Sequence, residues 1–570
     1  MGIVEMFTET DVLVVGGGLA GTVAAIGAAE KGAAVVVMDK GKIERSGDIG
    51  GGVDHFLAYL ETGAEWDTKE AFLKYAAKTA RGAVELEVVE KIYCAELMNS
   101  IALMARIGNP LTQPDGSYSR MQSGGQPGPW WINFDGSRLK PRLAKEVRKL
   151  GCHVLDRVMA TGLLTCNNGV AGAVGFNIRT GEFHIVRAKA TIICTGNTNR
   201  LFESPRINPF DTWRCPFDTG DGQVMAYEAG AALTNMEYIR VSIMPKGFSA
   251  AGFNALTGMG GRLLNSLGEY YMEERHSHGS KAPRYDTIYY TLQELKAGRG
   301  PIYIDCRHLD EDVLEQLVIT LGYDKNTLPD YIEQRGENLK RKPIEIMFSE
   351  GTQNGPCEVA GGGVLVDANC ASTVNGLFAC GDASSANSNV HGAVTGGYRA
   401  GKSAARFAGR VGMGDIDKDQ VHALRENTFA ALDRKDGISY TDYEDMIRKI
   451  NSDGAGMERT GNGLVNALEK LKRVRAYYSL VKARDLHELM RANESYSLLR
   501  VSELMVAAAI YRQESRFGPY HYRIDYPEQN DQNWFGQVII ERNGEQAKLS
   551  FRPVSYGAFL ERGESDASGI

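Results

Sequence analysis

The chain has 570 residues, of which 43% are hydrophobic and 24% charged, and its formal net charge is −7. A chain of this length is too long for one ordinary hydrophobic core, so we expect several packed units. The acidic balance argues against a nucleic-acid-binding protein, which needs a basic patch. The N-terminus is acidic, and no run approaches the roughly 20 apolar residues of a membrane span. We therefore expect a cytoplasmic protein with no transmembrane segment.

The first predicted element is a short apolar strand that leads directly into a glycine-rich turn at Gly16. In a dinucleotide-binding loop, Gly16 permits the tight turn, Gly18 lets a pyrophosphate approach the backbone, and Gly21 lets the next helix pack closely. A second strand, Ala34–Met38, ends at Asp39, whose carboxylate can accept hydrogen bonds from adenosine ribose hydroxyls. These elements predict a dinucleotide site, and by themselves they leave NAD and FAD open.

Three later glycine-containing segments favour FAD, because a simple NAD domain would not need them. One strand ends at Thr195 and Gly196, a glycine turn contains Asp221, and another apolar strand ends at Gly381 and Asp382. An acid that follows a glycine at a strand end suits the ribityl or pyrophosphate part of an extended flavin dinucleotide. The sequence therefore predicts FAD held at both of its ends.

Several motifs together resemble the flavoprotein subunits of the fumarate reductase and succinate dehydrogenase superfamily, which includes L-aspartate oxidase and the adenylylsulfate reductase α subunit. They are Gly16–Gly21, Glu44–Gly47, Ile192–Gly196, Thr219–Met225, Met236-Glu237, Gly376–Asp382, His391–Ala393, Glu514–Arg516 and His521–Pro527. The loop at Glu44–Gly47, which has no insertion, and the six residues Phe517–Tyr522 are most similar to the adenylylsulfate reductase branch.

This resemblance implies an α/β fold with a split Rossmann-type FAD-binding domain, an inserted α+β capping domain and a C-terminal helical domain. We expect the FAD-binding domain at residues 1–237 and 350–415, and the capping domain, which covers the substrate, at 238–349. The helical domain is expected at 416–516, and a C-terminal tail at 517–570 should wrap around the other domains.

The resemblance also implies which residues bind FAD. They are Gly16, Gly18, Gly21, Asp39, Lys40, Arg45, Ser46, Gly47, Gly51, Gly52, Val158, Thr195, Gly196, Asp221, Gly381, Asp382 and Gly397. Succinate dehydrogenases usually carry a histidine, bonded covalently to the flavin, where this chain has Gly47. Because glycine cannot form that bond, we expect dissociable FAD.

Three departures from the superfamily pattern concern the substrate. Fumarate reductases place a proton-delivering arginine in an Arg-Gly-Glu-Gly-Gly stretch, where this chain has Thr257–Gly261. The arginine expected shortly after His391–Ala393 is absent, and a His-Pro-Thr motif is replaced within Val241–Lys246. Since bidentate arginines hold planar carboxylates, fumarate and succinate are not the expected substrates.

Three residues, His391, His55 and Arg240, are candidates for catalysis. By resemblance, His391 should face flavin and substrate, where it could hold a substrate oxygen or move a proton, the alternative being a purely structural histidine. The loop that carries Asp54 and His55 should pass the flavin ring, so these two residues could place a charge-tunable pair near the substrate, or could simply fix their loop. Arg240 and Lys246 could replace the missing cationic contacts, or could be solvated charges.

The chain offers no metal centre of its own. Its nine cysteines lie far apart without a Cys-x-x-Cys pair, and the Arg275–His278 cluster lacks a third ligand, so we expect no bound metal. We therefore expect an FAD-dependent oxidoreductase subunit that exchanges electrons between a small organic substrate and a separate iron–sulfur, ferredoxin-like partner. Three alternatives stay open: an adenylylsulfate reductase α subunit, a stand-alone flavin oxidase, and a non-catalytic flavin electron conduit.

Overall fold

The computed structural model describes residues 3–167, 169–204, 210–248, 253–324, 327–336, 338–386 and 388–557. Within these ranges, no helix combines the length and the apolar character needed to cross a membrane. The strands in this part of the chain are, in order, β1 (Glu5–Val15), β2 (Val35–Asp39), β3 (His55–Leu57), β4 (Ser119–Met121), β5 (Trp131–Asn133), β6 (His153–Asp156), β7 (Val158–Cys166), β8 (Gly169–Asn177), β9 (Phe183–Ile193), β10 (Leu233–Thr234), β11 (Ile239–Arg240), β12 (Ile243–Pro245), β13 (Arg262–Leu264), β14 (Ile302–Asp305), β15 (Ile344–Phe348), β16 (Thr352–Gln353), β17 (Gly363–Val364), β18 (Leu377–Ala379), β19 (Gly536–Asn543) and β20 (Gln546–Pro553).

The α-helices of the same ranges follow the predicted alternation with strands in the first part of the chain and then dominate from residue 389 to 511. They are α1 (Leu19–Ala29), α2 (Lys69–Ala80), α3 (Leu86–Val88), α4 (Ala95–Arg106), α5 (Leu139–Lys149), α6 (Asp221–Glu228), α7 (Phe253–Gly258), α8 (Tyr271–Arg275), α9 (Arg284–Lys296), α10 (Glu311–Asp324), α11 (Thr327–Gln334), α12 (Asn389–Ala408), α13 (Lys418–Phe429), α14 (Tyr440–Ala455), α15 (Gly461–Tyr477), α16 (Leu486–Tyr511) and α17 (Asp531–Trp534).

The main sheet is assembled from strands that are far apart in the sequence. Its order is β6-β2-β1-β9-β8-β7. The first part of β9, up to Arg187, pairs with β8, and its last residues, Thr191–Ile193, pair with β18 on the same side. Strands β6, β2, β1, β9 and β18 are parallel neighbours, so their carboxyl ends lie along one edge of the sheet. This is the predicted split Rossmann-type arrangement, and it confirms the expected fold class.

Helices α1 and α12 pack tightly against each other because glycines face the contact. A Cβ atom on Gly397 would lie 2.5 Å from the carbonyl oxygen of Ala20, and one on Gly401 would lie 2.1 Å from that of Ala24. Both distances are shorter than a real carbon–oxygen contact allows. The sequence at these positions therefore sets the separation of the two helices.

Strand β1 begins earlier than its apolar run predicts. Residues Glu5–Thr10 pair in parallel with Phe183–Ala188 of β9, although most of their side chains are exposed. Exposed positions carry no continuous apolar signal, which is why the sequence indicates only the buried part of the strand.

A second sheet, β12-β15-β14-β13, is antiparallel and is formed entirely by residues between Ile243 and Phe348. Helices α7 to α11 belong to the same segment, which agrees with an inserted α+β unit. The C-terminal helices α13 to α16 follow, and Leu498, Val501 and Met505 of α16 are buried as their helical spacing predicts. The hairpin β19–β20 then returns to pair with β10, with β20 at the sheet edge.

Candidate functional site

A cavity of about 540 Å³ opens at the carboxyl ends of the parallel strands. Four strand ends and the turns after them contribute: Gly16–Gly18 after β1, Asp39 and Lys40 at the end of β2, Cys194–Gly196 after β9 and Cys380–Asp382 after β18. Ligands of open parallel sheets bind at this edge. The cavity is therefore the expected place for a dinucleotide.

The residues around Asp39 fit the adenosine end of FAD. The Asp39 side chain is only 5% exposed, and its Oδ2 atom has no hydrogen-bond partner among the described residues. A ribose hydroxyl could donate to this oxygen. A Cβ atom on the neighbouring Gly17 would lie 2.6 Å from the same oxygen, so glycine keeps the carboxylate accessible. Thr195, at the end of β9, presents a second buried and unpartnered oxygen, Oγ1.

Most of the residues predicted to bind FAD line this cavity. They are Gly16, Gly18, Asp39, Lys40, Arg45, Gly47, Gly51, Val158, Thr195, Gly196, Asp221, Gly381 and Asp382. Four others do not line it: Gly21 packs against Gly16, the Ser46 hydroxyl donates to the carbonyl of Gly17, Gly52 lies next to the lining residue Gly51, and Gly397 contacts helix α1. Gly21 and Gly397 therefore shape the supporting elements and do not contact the cavity.

A second, smaller cavity of about 30 Å³ lies between helix α2, strand β5 and the start of helix α9. Arg240, Arg284 and Glu358 are the charged side chains around it, and Arg284 also lines the larger cavity. The remaining lining residues are uncharged: Tyr75, Thr79, Ser123, Gly124, Gln126, Trp131, Ala282, Pro283, Tyr285, Pro356 and Tyr520. Two cations beside one carboxylate give this small cavity a net positive character.

Family comparison agrees with this geometry. Residues 11–398 match the family model described as "FAD binding domain", and residues 444–565 match "Fumarate reductase flavoprotein C-term". The chain belongs to the fumarate reductase and succinate dehydrogenase flavoprotein family. It is an FAD-dependent oxidoreductase of that type, and FAD is its cofactor.

Three similar proteins illustrate the breadth of the family. An uncharacterized FAD-dependent oxidoreductase of Methanocaldococcus jannaschii is 28% identical over 97% of this chain and 99% of its own length. A fumarate reductase flavoprotein subunit of Mycobacterium tuberculosis is 26% identical over 70% of this chain and 72% of its own. The structure of adenylylsulfate reductase from Archaeoglobus fulgidus has a TM-score of 0.87 and 26% identity, with 97% of both chains covered.

Arg240 is held at the small cavity by three polar side chains. Its side chain is 1% exposed, and its guanidinium donates to Ser388 Oγ at 3.2 Å and to Asn389 Oδ1 at 3.4 Å. It also lies 3.4 Å from a carboxylate oxygen of Glu358. Its Nε has no partner among the described residues. Lys246, the other predicted cation, is 54% exposed and pairs with Glu345, so it lies outside both cavities.

The two histidines predicted to be catalytic occupy different positions. His55 lines the FAD cavity, and its Nδ1 makes a very short hydrogen bond to Asp54. His391 is completely buried and lines neither cavity, because Phe56, Tyr93 and Trp131 surround it with edge-to-face contacts. Burial lowers the pKa of His391 to about 4. Its imidazole is therefore neutral near pH 7.

Two arginines at the site were not predicted from the sequence. Arg284 begins helix α9, and its guanidinium lies over the ring of Trp213. Burial lowers the pKa of Arg284, and the nearby cations Arg240 and Arg214 act in the same direction. Arg214 bridges Asp48 at 2.7 Å and Asp382 at 2.8 Å across the larger cavity. Neither arginine lies in a motif, so only the folded chain reveals them.

The stretch Thr257–Gly261, which replaces the superfamily's proton-delivering motif, lines neither cavity. Thr257 is buried at the end of α7, and a Cβ atom on Gly261 would lie 3.0 Å from Cys306 Sγ. This segment therefore packs within the capping sheet region. Among the described residues, no group of three or more His, Cys, Asp or Glu side chains is arranged to hold a metal ion.

Proposed function

We propose that the protein is the flavoprotein subunit of an enzyme that passes electrons between a small organic anion and a separate iron–sulfur protein. The observation that carries this proposal is the cationic small cavity next to the FAD cavity. Arg284 lines both cavities, so an anion that it holds lies beside the cofactor. Charge-assisted hydrogen bonds from guanidinium groups are strong and directional for carboxylates.

Bound FAD supplies a two-electron acceptor or donor at this site. The chain's own contribution is to bind and orient the substrate. Arg240 and Arg284 can hold the anionic group, and Glu358 can accept a hydrogen bond from a hydroxyl or amino group on the same molecule. Helix α9 belongs to the capping segment, so a closed capping domain brings Arg284 to the substrate and excludes water. His55, fixed by Asp54, can hold or move a proton at the FAD cavity.

The size of the small cavity restricts the substrate further. A volume of about 30 Å³ accommodates only about one or two water molecules. A compact anion of a few heavy atoms therefore requires less opening of the capping segment than a larger substrate does. Together with the missing dicarboxylate motifs at Thr257–Gly261 and after His391–Ala393, this size argues against fumarate and succinate.

The arginine pair can be tested by titration of the FAD-loaded protein with glycolate, glyoxylate, malonate and fumarate under anaerobic conditions. Changes in flavin absorbance report binding. We expect R240Q and R284Q to weaken binding of the preferred anion by about 10- to 100-fold, because each removes a charge-assisted contact. K246Q is the matched control, since Lys246 lies outside both cavities, and it should bind normally. Unchanged affinity in both R240Q and R284Q would exclude the proposed anion site.

The cysteines support a separate electron partner. All nine are free, and their spacing offers no iron–sulfur cluster site within the chain. The Mycobacterium tuberculosis relative is named as a flavoprotein subunit, which indicates assembly with other chains in that protein. Affinity purification from the source cells should recover an iron–sulfur protein. Recovery of no such protein, together with rapid reoxidation of reduced flavin by oxygen, would favour a stand-alone oxidase.

A second candidate function is that of an adenylylsulfate reductase α subunit, which the similarity to the Archaeoglobus fulgidus enzyme favours. The small cavity counts against it, because an adenylyl group would require far more opening of the capping segment than a compact anion does. Addition of sulfite and AMP distinguishes the two candidates: bleaching of the flavin absorbance that depends on both compounds would support this alternative. If no soluble compound reoxidises the flavin while a protein partner still reduces it, the non-catalytic conduit becomes the better description.

A further inference from the structure

A buried cluster of charged residues joins the FAD cavity to the C-terminal helices. Lys40 and Asp221 line the cavity, Arg200 lies in the loop after β9, and Glu494 and Arg491 belong to helix α16. We refer to these five residues as the Lys40–Glu494 cluster. The side chains of Glu494 and Arg200 are completely buried, and that of Arg491 is nearly so. The mechanism outlined above does not use this cluster.

Glu494 is the centre of the cluster. Its Oε1 lies 2.8 Å from the ammonium of Lys40, which also pairs with Asp221 at 2.8 Å. Its Oε2 accepts from Arg200 at 2.8 Å and from Arg491 at 2.6 Å. One carboxylate therefore contacts three cations, and of these three Lys40 is the one that lines the cofactor cavity.

The neighbouring cations keep the Glu494 carboxylate ionised despite its burial. Burial alone would raise the pKa of Glu494, but Lys40, Arg200 and Arg491 outweigh burial and hold it at about 2. Burial would likewise lower the pKa of Lys40, yet Asp221 and Glu494 hold it above its usual value. Both groups are therefore charged at neutral pH. Removal of one partner from such a buried group leaves the others uncompensated.

We propose that Glu494 is a positioning residue for FAD: from the helical domain it fixes the Lys40 ammonium and, through it, the Asp221 carboxylate at the wall of the cofactor cavity. Lys40 follows Asp39 directly in the sequence, so the position of its side chain also affects the strand end that faces the adenosine ribose. Without Glu494, the three cations would lose the carboxylate that they share, and Asp221 and Glu444 would remain as ion-pair partners of Lys40 and Arg200. The mutual repulsion of the three cations would displace Lys40 from its place.

The test measures FAD affinity of the apoprotein of the full-length chain, by quenching of FAD fluorescence on binding. We expect E494Q to raise the FAD dissociation constant by on the order of tenfold or more, in the usual range for coupling between two sites. The control is E444Q. Glu444 is equally buried and pairs with Arg200 at 3.3 Å and Arg448 at 2.9 Å, but it does not contact Lys40. E444Q should change the dissociation constant by less than about twofold, even if it lowers thermal stability.

A double-mutant cycle separates positioning from general destabilisation. If Glu494 acts through Lys40, E494Q should have no further effect on FAD affinity in a K40M background. If E494Q does not fold, E494D replaces it, because the shorter acid keeps the charge and should give a smaller loss that K40M also abolishes. The proposal is overturned if E494Q binds FAD like the wild type, if E444Q weakens binding equally, or if the effects of K40M and E494Q are additive.

Discussion

The substitution D39N tests the adenosine end of the FAD cavity. The Oδ2 atom of Asp39 is buried and has no hydrogen-bond partner in the described part of the chain, so we expect a ribose hydroxyl to donate to it. A hydrogen bond to a charged group contributes about 1.5–3 kcal/mol, against about 0.5–1.5 kcal/mol for a neutral pair. If both ribose hydroxyls donate, loss of the charge should cost about 2–3 kcal/mol, which raises the FAD dissociation constant about 30- to 150-fold.

Fluorescence titration of the apoprotein with FAD measures this change, and D156N is the matched control. Asp156 lies opposite Asp39 on the neighbouring strand β6. Its carboxylate already accepts from the backbone N–H of Ile43 at 2.9 Å and pairs with Arg148. D156N should therefore affect stability and leave FAD affinity within about twofold, since its partners lie within the protein. A D39N variant that binds FAD as tightly as the wild type would refute the assigned role of Asp39.

Three further predictions concern the fold and the flavin. Burial lowers the pKa of His391 to about 4 in the folded protein, whereas an unfolded histidine has a pKa of about 6.5. The unfolded chain therefore binds a proton more readily as the pH falls from 6.5 to 4, and the free energy of unfolding should decrease by up to about 3 kcal/mol. Urea unfolding at pH 7 and pH 4.5 should show less acid sensitivity in H391Q, and equal sensitivity would contradict this. G401A should destabilise the protein by about 3 kcal/mol, because its Cβ would lie 2.1 Å from the carbonyl oxygen of Ala24. The control is G412A, whose Cβ would have no atom within 4 Å, and this variant should keep the stability of the wild type. Equal melting temperatures for the two variants would argue against the predicted clash in G401A. Acid precipitation should release the yellow flavin into the supernatant, because Gly47 cannot form a covalent bond to it, and a yellow pellet would contradict this.

The cofactor end of the site was predictable in part because several of its residues follow strands that have their own sequence signal. The apolar runs before Gly16, Gly196 and Gly381 place their glycines at the same edge of a parallel sheet. A glycine in such a pattern can serve either close helix packing or ligand binding, and the sequence does not distinguish the two roles. Gly397 was predicted to contact FAD, yet it lies against α1, because glycine serves close helix packing as well as it serves a cofactor.

The substrate end was much less predictable, because its residues come together only through tertiary contacts. Arg284 comes from the start of a capping helix, and Glu358 comes from a loop near β17. Neither lies in a spacing pattern that indicates a shared cavity. His391 shows the opposite case: its motif is clear, but whether its ring reaches a cavity depends on three aromatic neighbours from separate segments.

The order of strands in the main sheet has a consequence for how the protein is made. Strands β1 and β2 leave the ribosome early, but β18, which delivers Gly381 and Asp382, follows the entire capping segment. A nascent chain that ends before Cys380 therefore lacks the wall of the cofactor cavity that the end of β18 and the start of α12 supply. Such distant strand pairings form slowly, because a long loop must close first. Flavin availability should therefore affect the yield of protein after synthesis is complete, and supplementation with riboflavin during expression should act on maturation and not on translation.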